Sequence, residues 1–208
     1  MPPTICTFLR NALIVLILVL AGTVISAGQA INSYPSACST NAMPCNYVEW
    51  LRNRTNTSVA PLGVIQKTTA ASNNSTGGHS SQYLQNVGDS FTWQISSIGG
   101  YIGLSYNPAL STANTNANFA WNILTLSSAQ VYTGAAGATL TGLNLSGGQK
   151  LRLAVDAASR ILFQYETTIG SGVYTTFFTS TTPITGKLYP FCALNGTAGV
   201  INAQVCKP

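Results

Sequence analysis

Four carboxylates (Glu49, Asp89, Asp156 and Glu166) and one imidazole, His79, leave this 208-residue chain little material for acid–base or metal chemistry. Glycoside hydrolysis needs two carboxyl groups about 5–9.5 Å apart across one bond. Asp89, Asp156 and Glu166 are the candidates, and no Glu-x-Asp-x-x-Glu run sets two acids on one strand face. Glu166 is the leading acid of a hydrolase, which is the lesser functional alternative. A Ser-His-Asp relay would have to use His79. That residue lies in a Gly/Ser stretch and reads as an exposed linker histidine. A lectin-type calcium site wants clustered charged oxygens. Asn114, Asn116 and Asn118 alternate without charge and read as a solvated loop. Zinc wants thiolates and imidazoles at short spacing, but there is no Cys-x-x-Cys and His79 is remote from the cysteines. The expectation is a non-enzymatic chain with no metal and no cofactor.

Charge is scarce throughout, at 6% of residues and a net +5, against about 25% in an average soluble chain. That argues against a coiled coil and against a charge-extended disordered tail. The cations are scattered, without a basic run or interleaved aromatics, so nucleic-acid binding is not expected. Lys150 and Arg152 share a strand face opposite Leu151 and Leu153 and read as a solvated outer face.

Arg10 is followed by no charge until Glu49, and Ala12 to Ala27 is a hydrophobic run. A basic flank, an apolar helix and small exit residues make a secretory signal. Cleavage would follow Ala27 or Ala30. The competing reading is a retained membrane anchor over residues 11–30, with Arg10 leaving the remainder outside. Both readings put the main domain outside the cytosol, secreted or membrane-anchored. Cys6 belongs to the targeting segment. Cys38, Cys45, Cys192 and Cys206 remain, and an even number in an exported chain reads as two disulfides. Three connectivities are open. The local one, Cys38–Cys45 with Cys192–Cys206, is simplest; a crossed one would tie the N-terminal segment to the last strand. Glycosylation sequons stand at Asn53, Asn56, Asn73, Asn74, Asn144 and Asn195. With this much Asn, Ser and Thr, chance gives about four, so they are candidates only.

These groups must be positioned by strands. Residues 1–30 form the signal or anchor, a hydrophobic helix. Residues 31–81 read as a Cys-bearing segment followed, from residue 51, by a Ser/Thr/Asn-rich linker. From residue 82 the pattern becomes alternating. Phe91, Trp93 and Ile95 share one face, as do Phe119, Trp121 and Ile123, then Leu151, Leu153 and Val155, then Ile161, Phe163 and Tyr165. Further runs fall at 102–106, 131–132, 173–179, 188–194 and 200–205. Period two with turns near every ten residues predicts an all-β, two-sheet antiparallel sandwich over 82–208. Asp156-Ala-Ala-Ser-Arg160 is a short polar connection, as a hairpin requires.

The order of these pieces resembles the SPRY/B30.2 pattern of the concanavalin-A-like jelly-roll group. Tyr101-Ile-Gly-Leu-Ser-Tyr106 precedes the Trp121-bearing strand. The run Gly147–Asp156 leads through a hairpin to Ile161-Leu-Phe163, and Leu188-Tyr-Pro190 follows late. The resemblance covers about residues 90–204 and implies a jelly-roll sandwich. Departures are Gln149, where an acid is frequent, and Glu166-Thr167, where Asn-Gly is usual. A more remote jelly-roll lectin relative fits the pattern equally well.

A shortage of catalytic groups on such a fold predicts an extracellular recognition module. Its partner would be a glycan or a protein surface, met by loops at one edge of the sandwich. Amphipathic tyrosines near strand ends suit either ligand, and Tyr106, Asn107, Tyr132 and Tyr174 are the expected contacts. Trp93 and Trp121 belong to the core. The structural alternative is a coat subunit of a cell wall or virion shell, anchored through residues 11–30 and packed as a homo-oligomer or lattice.

Overall fold

A computed structural model describes residues 44–52, 56–69, 76–95, 99–107, 117–125, 128–133, 136–141, 145–196 and 198–208. The targeting segment, Cys38, Asn53, Asn73, Asn74, Asn144 and residues 114 and 116 lie outside them. Among the described residues fifteen strands follow in chain order. The early ones are β1 (Cys45–Tyr47), β2 (Trp50–Arg52), β3 (Thr57–Ala60), β4 (Val64–Lys67) and β5 (Thr76–Ser80). Next come β6 (Ser90–Ile95), β7 (Gly100–Ser105), β8 (Phe119–Thr125), β9 (Ser128–Thr133) and β10 (Ala136–Thr141). The last are β11 (Lys150–Val155), β12 (Ile161–Glu166), β13 (Tyr174–Thr179), β14 (Tyr189–Leu194) and β15 (Gly199–Cys206).

They form two antiparallel sheets. The first runs β13-β12-β11-β6-β15-β4-β3, with β1 pairing the far end of β15; the second runs β10-β9-β8-β7-β14-β5-β2. The alternation seen in the sequence becomes the core between them. Phe91, Trp93, Trp121, Ile123, Leu151, Leu153, Ile161 and Phe163 all lie in it, at most 2% exposed. Phe91 stacks on Trp93 at 4.7 Å, and Trp121 meets Phe163 edge-on at 5.6 Å. Burying each such side chain stabilises by about 1.5–3 kcal/mol.

The predicted hairpin joins β11 to β12. The Asp156 carboxylate accepts the Ala158 and Arg160 backbone N–H groups at 2.9 and 2.7 Å and pairs with the Arg160 guanidinium at 2.8 Å. These bonds, led by the Arg160 N–H, hold the Asp156 carboxyl below the usual carboxylate range.

Two expectations are corrected. Among the described residues strands already run from Cys45, and the stretch read as a linker supplies strands to both sheets. Its polar composition hides close packing: a Cβ on Gly77 would run into the Cys192 carbonyl of the neighbouring strand. His79 accordingly stands on β5 between Leu51 and Phe191, half-buried, and is no linker residue. The local disulfide pairing also fails. Cys45 and Cys206 are register partners on β1 and β15 and are bonded to each other, 161 residues apart. Cys192 is a free thiol buried in the other sheet. Facing sheets pack about 10 Å apart, beyond the ~7 Å Cα limit for a disulfide.

Candidate functional site

The second sheet buries one face in the main core and carries a separate structure on the other. Leu51, His79, Phe191, Gly103, Ala120 and Tyr132 fall in one cross-strand row. Gly77, Ala193, Tyr101, Asn122 and Gln130 form the next. Period two places all of them opposite Ile102, Leu104, Trp121 and Val131. Ala117, Ala120, Phe191 and Ala193 make a small second apolar cluster, and Tyr101 and Tyr132 pack against it.

The floor is low because it is built of glycine and alanine. At Gly103 a Cβ would collide with the Phe119 carbonyl and the Ala120 backbone, so the close approach of β7 and β8 excludes any side chain there. Above that floor the Tyr101 and Tyr132 rings meet edge to face, 5.9 Å apart at 86°. Beside them the Asn122 amide donates to Gln130 Oε1 at 2.7 Å. Burial lowers the His79 pKa, which favours a neutral imidazole that both donates and accepts. Half-buried phenols over an apolar floor, edged by amides, can stack on the C–H face of a sugar ring while bonding its hydroxyls.

The four residues expected as ligand contacts do not form one site. Tyr132 lies on this face. Tyr106, at the end of β7, packs on Phe119 at 6.4 Å, and its hydroxyl accepts the Thr185 N–H at 3.1 Å. Asn107 beside it is exposed, its N–H donating to Ser105 Oγ. Tyr174 belongs to the opposite side of the sandwich, on β13 of the first sheet. There the Arg152 guanidinium lies 4.4 Å above its ring while Arg152 Nε donates to Gln164 Oε1 at 2.6 Å. Burial, then the Glu166 carboxylate, pushes the Tyr174 hydroxyl pKa up, against the opposing pull of Arg152. Arg152 is thus a half-buried member of a network, where the sequence suggests a solvated face.

Sequence reasoning missed Tyr101, Asn122 and Gln130. Tyr101 was within reach, since it alternates with Ile102 and Leu104. Asn122 and Gln130 required the β8–β9 register. Of the sequons, Asn56 is exposed at the turn before β3, and Asn195 is half-buried with Oδ1 accepting the Gly196 N–H.

Glu166 stands at the opposite end of the β11–β12 pair from Asp156 and Asp89. Glu166 ends β12, fully buried, with Oε1 accepting the Gly172 N–H at 2.8 Å and Oε2 without a partner. Asp156 is at the other end of the same strand, about 17 Å away or more at the rise of a β-strand. Asp89 is buried, accepting the Gln85 and Asn86 N–H groups. An open groove of about 670 Å³ lies between the β1–β2 connection and the β3–β4 turn. Its rim includes Tyr47, Val59 and Leu62, and its one acid is Glu49.

Comparison with known proteins fixes the fold. No family model matches the chain, and no curated protein matches it in sequence. Among solved structures, the TRIM65 PSpry domain matches with a TM-score of 0.55 at 14% identity, over 78% of this chain and 94% of that one. The VIP36 exoplasmic/lumenal domain in its Ca²⁺/Man3GlcNAc-bound form matches at 0.51 and 10% identity, over 76% of this chain and 81% of that one. The domain therefore has the SPRY/concanavalin-A-like jelly-roll fold. Similarity at this identity defines architecture, and function has to be argued from the site.

Proposed function

We propose that this domain is a non-enzymatic carbohydrate-recognition module that binds its ligand on the outward face of the second sheet. The observation that carries the reading is the Tyr101–Tyr132 pair standing beside the Asn122–Gln130 amides on a glycine and alanine floor. A solitary buried Glu166, far from Asp156, supports binding over hydrolysis, because either glycosidase geometry needs an acid pair. The Cys45–Cys206 disulfide supports an oxidising compartment, extracellular or lumenal.

The test is binding of the full chain to an array of neutral and acidic oligosaccharides, followed by titration of the best ligand. Tyr132→Ala and Tyr101→Ala should each weaken binding about tenfold, which corresponds to ~1.4 kcal/mol, with the near-UV spectrum of the fold retained. Tyr174→Ala, on the opposite sheet, should change it less than twofold. Unchanged affinity in Tyr132→Ala, or no bound sugar combined with a particle-sized assembly in light scattering, overturns the reading. The second outcome would favour the structural coat subunit.

A further inference from the structure

Cations that look scattered along the chain converge at one rim of this same sheet. Tyr189 begins β14, two residues before Phe191 and on the same face. Its ring meets Tyr83 at 6.0 Å and 61°. Two ammonium groups stand over the Tyr83 ring. Lys187 Nζ is 4.4 Å from the ring centroid and Lys207 Nζ 4.3 Å. The two charges are therefore within about 9 Å of each other, close to the ~8 Å distance over which charges interact at physiological salt.

The backbone fixes this arrangement. Leu84 and Leu188 exchange N–H to carbonyl bonds of 2.8 and 2.9 Å, which clamp the segments carrying Tyr83, Lys187 and Tyr189 together. Lys207 follows the disulfide-bonded Cys206, and its N–H donates to the Pro44 carbonyl at 3.1 Å. The local acid is Asp89, which offsets part of the Lys207 charge. Asp89 Oδ2 lies 3.5 Å from Lys207 Nζ, but that oxygen already accepts the Gln85 and Asn86 N–H groups at 2.8 and 3.0 Å. Its side chain is 1% exposed, against 42% for Lys207. Glu49, whose backbone N–H donates to Gln82 next to Tyr83, makes no ion pair with either lysine. Among the described residues Lys187 has its cation–π contact and no carboxylate partner.

We propose that Tyr83, Lys187 and Lys207 form an anion subsite that holds a sulfate or carboxylate group of an acidic glycan. The glycan assignment rests on the carbohydrate reading of the adjoining face, with which Tyr189 makes the subsite continuous. Tyr83 holds the ammoniums by its ring quadrupole. They are pre-placed before a ligand arrives, and binding spends little side-chain entropy. Two charges fixed this way suit a stiff saccharide whose anionic groups recur at set spacing.

Binding of the full chain to immobilised heparin, a sulfated glycan, tests the assignment, with neutral dextran and soluble polyglutamate as comparators. Lys187→Gln with Lys207→Gln should weaken heparin binding at least tenfold and flatten its dependence on log salt by about two phosphate-like contacts. Lys150→Gln removes a charge from the first sheet and should change affinity less than twofold. The near-UV spectrum must be retained in both. Equal losses in the Lys150→Gln and double variants would mean diffuse attraction and overturn the subsite. So would absence of heparin binding at physiological salt, or displacement by polyglutamate as effective as by free heparin. If Tyr132→Ala leaves neutral-glycan binding unchanged while the double lysine variant loses heparin, the face reading fails and the anion subsite stands.

Discussion

Cys192 and Cys206 carry the same side chain into opposite chemistry because their neighbours differ. Cys206 faces Cys45 directly across a strand pair and is oxidised to it. Cys192 sits mid-strand between Gly78 and Ile102, with no solvent exposure, and burial pushes its thiol pKa up to about 12. Thiolate is the reactive form, so Cys192 is doubly protected, by absent thiolate and by absent access. Iodoacetamide at pH 8 should leave it unlabelled in the folded protein and label it fully in denaturant. Cys45 and Cys206 should stay unlabelled in denaturant until a reductant is added. Peptide mapping by mass spectrometry separates these sites from Cys6 and Cys38. Fast labelling of Cys192 in native protein would contradict its place in the core.

At the level of elements, the strands that alternate bulky apolar and polar residues were legible, and the others were not. A strand packed on one face announces itself by period two, as β6, β8, β11 and β12 do. β5 reads Thr76-Gly-Gly-His-Ser80, which is linker composition, yet Gly77 is there because the β14 backbone leaves no room for a Cβ. β10, Ala136-Gly-Ala-Thr-Leu-Thr141, likewise has a single large apolar residue, Leu140, and so no alternating run in its sequence. The site was legible to the same degree. Tyr132 could be singled out as an aromatic near a strand end. Its partnership with Tyr101 depends on the β7–β8–β9 register, and the meeting of Lys187 and Lys207 on Tyr83 depends on segments more than a hundred residues apart. The early strands are integral to the fold. Trp50 packs edge-on against Phe91 at 6.3 Å, and Val48 and Ile65 join the same core. A chain beginning at residue 82 would lose these three side chains, each contributing about 1.5–3 kcal/mol, from a total stability of about 5–15 kcal/mol. It should show a flattened near-UV spectrum and strong binding of a hydrophobic dye. A sharp cooperative unfolding transition from such a chain would instead make strands β1 to β5 an appendage.

Over the whole molecule, the Cys45–Cys206 bond closes nearly the entire described sandwich into one loop. The first strand and the last are side by side in the first sheet, so the disulfide removes the freedom of the unfolded chain without bending the folded one. By the chain-entropy account a loop of this length contributes up to about 5 kcal/mol, and native disulfides of exported domains contribute about 2–5 kcal/mol in practice. Cys206→Ser, or mild reduction, should therefore lower the melting temperature by about 5–20 °C for a domain of this size, whereas Cys192→Ala should lower it less. The bond also links stability to the proposed subsite, because Lys207 is the next residue and shares its strand end with β1. Releasing Cys206 frees Lys207 to leave the Tyr83 ring. Heparin affinity should then fall in Cys206→Ser at temperatures well below its melting transition, while binding of a neutral oligosaccharide to the Tyr101–Tyr132 face stays within twofold. Parallel loss of both activities would trace the effect to global loosening and separate it from the position of one ammonium group.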